Sequence, residues 1–226
     1  MHDLEMKFPS GMAALCALFG YQRVADNLQQ LQAIYDYTEA AWQGYAAQIE
    51  IVRFVMIAEA PPWRADQTRR YILDPLLHDE GPYNWALRKA FPGADVGSWQ
   101  EVLRVLARHG FLLLDSIPFA MSYTSSKRRG PKYDNLVHHS VTTYLQQKLD
   151  SSRVSWSPEV RIAFAAKRLA SSVLKTLSHL SVHGRQHPLS PDMIAVNRAN
   201  YPDPMGLRRI YGFGDGGDTS SGRRGF

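Results

Sequence analysis

The chain has 226 residues, with 26 Lys and Arg against 21 Asp and Glu for a formal net charge of +5; 45% of it is hydrophobic and 11% aromatic. That length and composition suit one domain with a sizeable core and exclude a largely disordered chain. A single cysteine, Cys16, excludes a disulfide framework, a cysteine-rich zinc site and a four-cysteine iron–sulfur cluster, while the positive balance favours an anionic partner.

No stretch is long enough to span a bilayer, so no membrane role is expected. Residues 11–20 come nearest, at about half the required length. Asp3 and Glu5 oppose a basic start and no small-x-small cleavage site is present after it, so this run reads as a short buried helix and the expected location is the cytoplasm. From Val24 to Tyr45 the apolar residues recur at spacings of three and four, with Thr38 filling one gap, which predicts an amphipathic helix. Residues 1–50 are thus a helical segment packed on the core. Residues 51–58, IVRFVMIA, form an almost unbroken β-prone run, apolar on both faces and stopped by Pro61 and Pro62.

A helix comes next at residues 82–91, then another at 98–109, where Ser98 and Glu101 form a capping box and Gly110 ends the helix. Residues 111–118, FLLLDSIP, are the second buried strand. The basic stretch 125–132 precedes a helix at 135–149; residues 160–165 are a third strand, 167–180 a helix, 193–196 a fourth strand, and 206–211 the last helix. The glycine- and arginine-rich end, 212–226, reads as a disordered tail. Alternation of this kind implies an α/β fold: three layers, α/β/α, around a central, mostly parallel four-stranded sheet spanning residues 51–211.

Such sheets bind ligands beyond the carboxyl ends of their strands. That rule selects residues 59–63, 115–119 and 197–205. Glu59, at the end of the first strand, can act as a base, position water or stabilise positive charge, or can be a solvated loop acid. Asp115 comes after three leucines, so its carboxyl must find a donor, pair with an arginine, cap a helix or raise its pKa. Lys127, Arg128, Arg129 and Lys132, with Tyr123 and Tyr133 nearby, fit phosphate contacts or a solvated loop. Arg208 and Arg209 stand just after a rigid loop whose Met205 is suited to entering a base stack or to packing in the core. No Walker loop, Rossmann fingerprint or HExxH helix is present.

Together these loops resemble the uracil-DNA glycosylase superfamily. Residues 57–62, IAEAPP, resemble its first active-site motif, written GQDPY or GEAPG in two branches. Residues 98–116 are similar to the family's segment ending in GVLLLN, and the basic loop SKRRGPKYDN resembles the family's sequence just after that strand. YPDPM at 201–205 is similar to the second motif, HPSPL. The resemblance implies that Glu59 lies beside the scissile sugar and that Asp115 takes the position of the base-reading asparagine. It also makes Tyr71 the aromatic that stacks on the extruded base, and Met205 the side chain that fills the gap in the duplex. Ala60 departs from the aspartate of the uracil-specific branch, and Asn200 or Tyr201 stands where the second-motif histidine is expected.

An asparagine matches uracil's O4 and N3–H, whereas an ionised aspartate only accepts and would repel O4. Cytosine offers an exocyclic amino group in that place, as does adenine. The expected activity is a monofunctional glycosylase, monomeric and needing no cofactor or metal, that flips out and excises a modified cytosine, such as one in foreign DNA. Two other readings stand beside it: a non-catalytic binder of modified DNA, and an unrelated α/β enzyme acting on a small anionic metabolite.

Overall fold

The computed structural model describes residues 3–63, 71–77, 81–95 and 97–214. Four helices open the chain: α1 (Asp3–Lys7), α2 (Pro9–Phe19), α3 (Tyr21–Asp26) and α4 (Leu28–Ala46). The helix expected over 24–45 is two helices, because Asn27 leaves helical geometry and turns its side-chain amide onto the Arg23 carbonyl at 2.7 Å. Residues 11–20 do form a buried helix: Met12, Leu15, Leu18 and Phe19 of α2 are in the core. Phe8, between α1 and α2, packs edge-on against Tyr35, Phe119 and Tyr144, so the N-terminal segment shares one core with the rest.

The sheet consists of β1 (Val52–Ala58), β2 (Phe111–Asp115) and β3 (Trp156–Phe164), all parallel, in the order β2-β1-β3. Every residue of β2 and the last four of β1 are buried, so helices cover both faces, as the two-sided apolar runs require. The helices between and after these strands are α5 (Pro82–Ala90), α6 (Trp99–His109) and α7 (Pro131–Ser140). A π-turn at Val141–Leu145 carries α7 into α8 (Gln146–Leu149), and α9 (Lys167–Thr176) comes after β3. The helix expected to begin at 135 starts at Pro131, whose fixed φ suits the first turn.

The sheet has three strands rather than the expected four. Pro191–Met193 is a 3-10 turn with Ser190 at its start, and Ile194 makes a single parallel bridge to Phe164. The chain then folds back, with Val196 bridging Pro202, so MIAV never extends far enough to pair as a strand. A second correction falls at 177–188. Leu177 leaves helical geometry, and β4 (His179–Val182) pairs with β5 (Arg185–Pro188) as an antiparallel hairpin turned by His183 and Gly184, both at positive φ. The last helix, α10 (Pro204–Tyr211), starts two residues earlier than expected, with Asp203 accepting from the Gly206 N–H. Of the expected tail, Phe213 packs on Phe54 and Phe91, and residues 215–226 lie outside the described residues.

The capping box at α6 forms as expected: the Ser98 N–H donates to Glu101 Oε2 at 2.6 Å and Ser98 Oγ accepts from the Glu101 N–H. Gly110 then adopts a left-handed conformation with its Cα against the Ile51 carbonyl, where a Cβ would meet that oxygen at 2.2 Å. This tight turn feeds β2 directly alongside β1. Ser98→Ala is expected to cost about 1 kcal/mol, read as a lower urea midpoint at unchanged slope.

Candidate functional site

The strand order reverses direction at β1, since the chain runs from β1 to β2 on one side and later returns to β3 on the other. A crevice therefore opens beyond the carboxyl end of β1. Register sets Ala58 beside Asp115 and Ile57 beside Phe164, which brings three strand ends to one edge. Ser116 stitches this edge together. Its N–H donates to the Ala58 carbonyl at 2.9 Å, and its buried hydroxyl lies 2.9 Å from the carbonyls of both Ala58 and Glu59.

A cavity of about 310 Å³ lies here, within the range of small-molecule sites. Among the described residues its wall includes Glu59, Tyr71, Tyr83, Asn84, Asp115 and Arg128. Asp115 is 5% exposed, and its Oδ2 has no hydrogen-bond partner among the described residues. Burial pushes its pKa up to about 7, against the opposing pull of a hydrogen bond from the Tyr71 hydroxyl and the field of Lys148. Tyr71 is itself buried, and desolvation beside Asp115 raises its pKa far above the usual value, so it remains a donor. Behind Asp115 lies a buried ion pair. Lys148 Nζ donates to Glu39 Oε2 at 2.6 Å and sits 3.6 Å from the Trp42 ring centre, and the Tyr144 hydroxyl donates to Glu39 Oε1 at 2.7 Å.

Glu59 is held quite differently. Arg128 Nε donates to both carboxylate oxygens, at 2.8 and 2.9 Å, and Nη2 to Oε2 at 2.6 Å. The Tyr133 hydroxyl adds a bond to Oε1 at 2.5 Å. Three hydrogens thus hold the carboxylate, with the single Nε–H shared between its two oxygens. The pair forms where β1 ends, because α7 delivers Tyr133 and the turn before it delivers Arg128.

Comparison with protein families, with curated proteins and with solved structures finds no match to this chain.

Arg128 is shared with a second depression, lined by Ser125, Arg129, Lys167, Arg168, Ser171 and Asn200. Four of its seven lining side chains, Arg128 included, are cationic, and none is acidic. Asn200, at positive φ, turns its Oδ1 onto the Lys167 N–H at 3.2 Å and so belongs to this groove rather than to the Asp115 cavity. Tyr201 is 45% exposed and is likewise absent from the described cavity wall. Lys127 faces elsewhere: its ammonium donates to the Leu18 carbonyl at 2.9 Å and lies over Phe19, at the end of α2. Lys132 and Arg209 are exposed on α7 and α10, Arg208 donates to the Gly214 carbonyl at 2.7 Å, and Met205 projects from the first turn of α10, 55% exposed.

Of the residues expected from sequence, Glu59, Tyr71, Asp115 and Arg128 thus meet at one cavity, and Arg128, Arg129 and Asn200 at the adjoining groove. Tyr83, Asn84, Lys167 and Arg168 join them without having been expected. The signal for Asn84 is present in the sequence: it shares a stripe with Leu87, Arg88 and Phe91, all buried, so a polar side chain stands in an inward-facing row. Among the described residues, no cluster of three or more His, Cys, Asp or Glu is arranged to hold a metal ion, and no helix is long and apolar enough to cross a membrane.

Proposed function

We propose that the protein is a DNA glycosylase of the uracil-DNA glycosylase type that excises a modified cytosine, acting as a monomer in the cytoplasm. The observation that carries this reading is the buried Asp115 carboxyl with an unpartnered oxygen in a cavity wall, next to an arginine-rich groove. The groove takes the phosphates flanking a flipped nucleotide, with Arg129, Lys167 and Arg168 as its cations. The extruded base enters the cavity, where Asp115, in its ionised form, accepts from an exocyclic amino group.

The reaction breaks the C1′–N bond. Its electron pair leaves on the base nitrogen, water adds its oxygen to C1′ and releases one proton, and the departing base takes up one, so that one water is consumed. Glu59 supplies negative charge beside the oxocarbenium-like sugar. Because its oxygens are tied to Arg128 and Tyr133, it serves first as a charge rather than a proton acceptor. A phosphate in the groove competes for Arg128, which borders both depressions, and so unmasks Glu59 when DNA is bound.

That same engagement of Glu59 by Arg128 and Tyr133 favours a second reading, a binder of modified DNA without turnover. Duplexes each carrying one 5-substituted cytosine, incubated with the protein and then treated with alkali, separate the two. Strand scission at the modified position is the expected result. Retention of the duplex without scission supports the binder, and neither scission nor retention removes DNA as the ligand.

A further inference from the structure

A second polar group in the cavity wall is left without a partner. Asn84, in the first turn of α5, is 4% exposed, and its Nδ2 has no hydrogen-bond partner among the described residues. It lines the same cavity as Asp115, whose wall also carries Ile72, Leu77 and Leu113. Leaving an amide donor buried and unbonded is costly, and natural folds rarely do so without a reason. Asn84 and Asp115 therefore present, in one cavity, an orphaned donor and an orphaned acceptor contributed by different elements, α5 and β2.

We propose that Asn84 is a specificity-determining residue, the donor half of a two-residue reader whose acceptor half is Asp115. This rests on the reading of the cavity as a base pocket. The glycosidic bond fixes the order in which a flipped pyrimidine meets the wall. With Asp115 opposite position 4, an acceptor and then a donor match cytosine, whose N4 amino group donates and whose N3 accepts. Uracil presents the reverse, O4 accepting and N3–H donating, so both wall groups would face a like partner. One residue alone gives a weaker sieve, because a pyrimidine can shift to satisfy a single bond; two opposed groups on separate elements remove that freedom. A polar pocket group left unpaired by the wrong ligand is what makes such discrimination large.

The test uses the full chain carrying Glu59→Gln, to slow turnover, and duplexes with matched 5-substituted cytosines and 5-substituted uracils. Asn84→Ala is expected to weaken binding of the preferred cytosine duplex about 10-fold without weakening that of its uracil counterpart. Asn84→Asp, similar in shape but without the donor when ionised, is expected to lose at least as much. Without DNA, Asn84→Ala is expected to melt no lower than the parent, because it deletes an unbonded buried group. A fall of several degrees would make Asn84 a structural residue and overturn the proposal. So would an unchanged cytosine preference in Asn84→Ala where Asp115→Asn abolishes it, a result that leaves the base pocket standing. If the parent distinguishes no pair of duplexes, the base pocket itself is wrong and the proposal falls with it.

Discussion

Asp115→Asn is expected to stabilise the folded protein at pH 8 by about 4 kcal/mol and to leave its stability at pH 4 nearly unchanged. The sign comes from the direction of the shift. Burial raises the folded-state pKa of Asp115 from an ordinary 3.8 to about 7, so between those values the native state holds a proton that the unfolded chain has released. Stability therefore drains away as pH rises through that window and levels off above it. Asparagine keeps the acceptor that Tyr71 needs and carries no charge to bury. The groups facing Asp115, namely Tyr71, Lys148 and Glu39, stay in both proteins, so subtracting the two urea-denaturation curves from pH 4 to 8 isolates this carboxyl. A difference that does not grow with pH would mean that Asp115 is solvated or paired. Such a gain from removing one acid is the mark of a group kept for function at the expense of stability.

Glu59→Gln is expected to lower the excision rate by roughly 10²–10³-fold without weakening duplex binding. Glutamine preserves the shape and one acceptor for Arg128 and Tyr133, so the fold and the groove persist, while the negative charge beside the sugar is lost. Single-turnover cleavage against filter binding separates the two effects. If rate and affinity fall together, Glu59 acts only by holding Arg128 in place, and the chemistry lies elsewhere.

The contrast between the two acids shows what a sequence can and cannot express. Both can be located from sequence, since each sits where an apolar strand ends. Which of them is neutralised cannot, because Arg128 and Tyr133 reach Glu59 from about 70 residues away in the chain. The sheet's centre is legible for a related reason: MIA and LLL are apolar on consecutive positions, a pattern a half-exposed strand would not carry. The rim is not. Leu177 and Leu180 continue the spacing of α9, so the hairpin beyond Thr176 looks like more helix, although His183-Gly184 is a turn signal of the right kind. MIAV has strand propensity but too little length before Asn197 and Pro202 turn the chain back. In the groove, Lys167 and Arg168 open a helix whose pattern is only amphipathic, and nothing local announces that Asn200 lies against it.

The function proposed for the site turns on one point, that the Asp115 carboxyl chooses the base by its amino edge. The decisive comparison is excision of one cytosine derivative and of the uracil carrying the same 5-substituent, by the parent chain and by Asp115→Asn, at pH 8. The parent is expected to release the cytosine derivative and spare the uracil, and the substitution to reverse that preference. An unaltered preference in Asp115→Asn would contradict it.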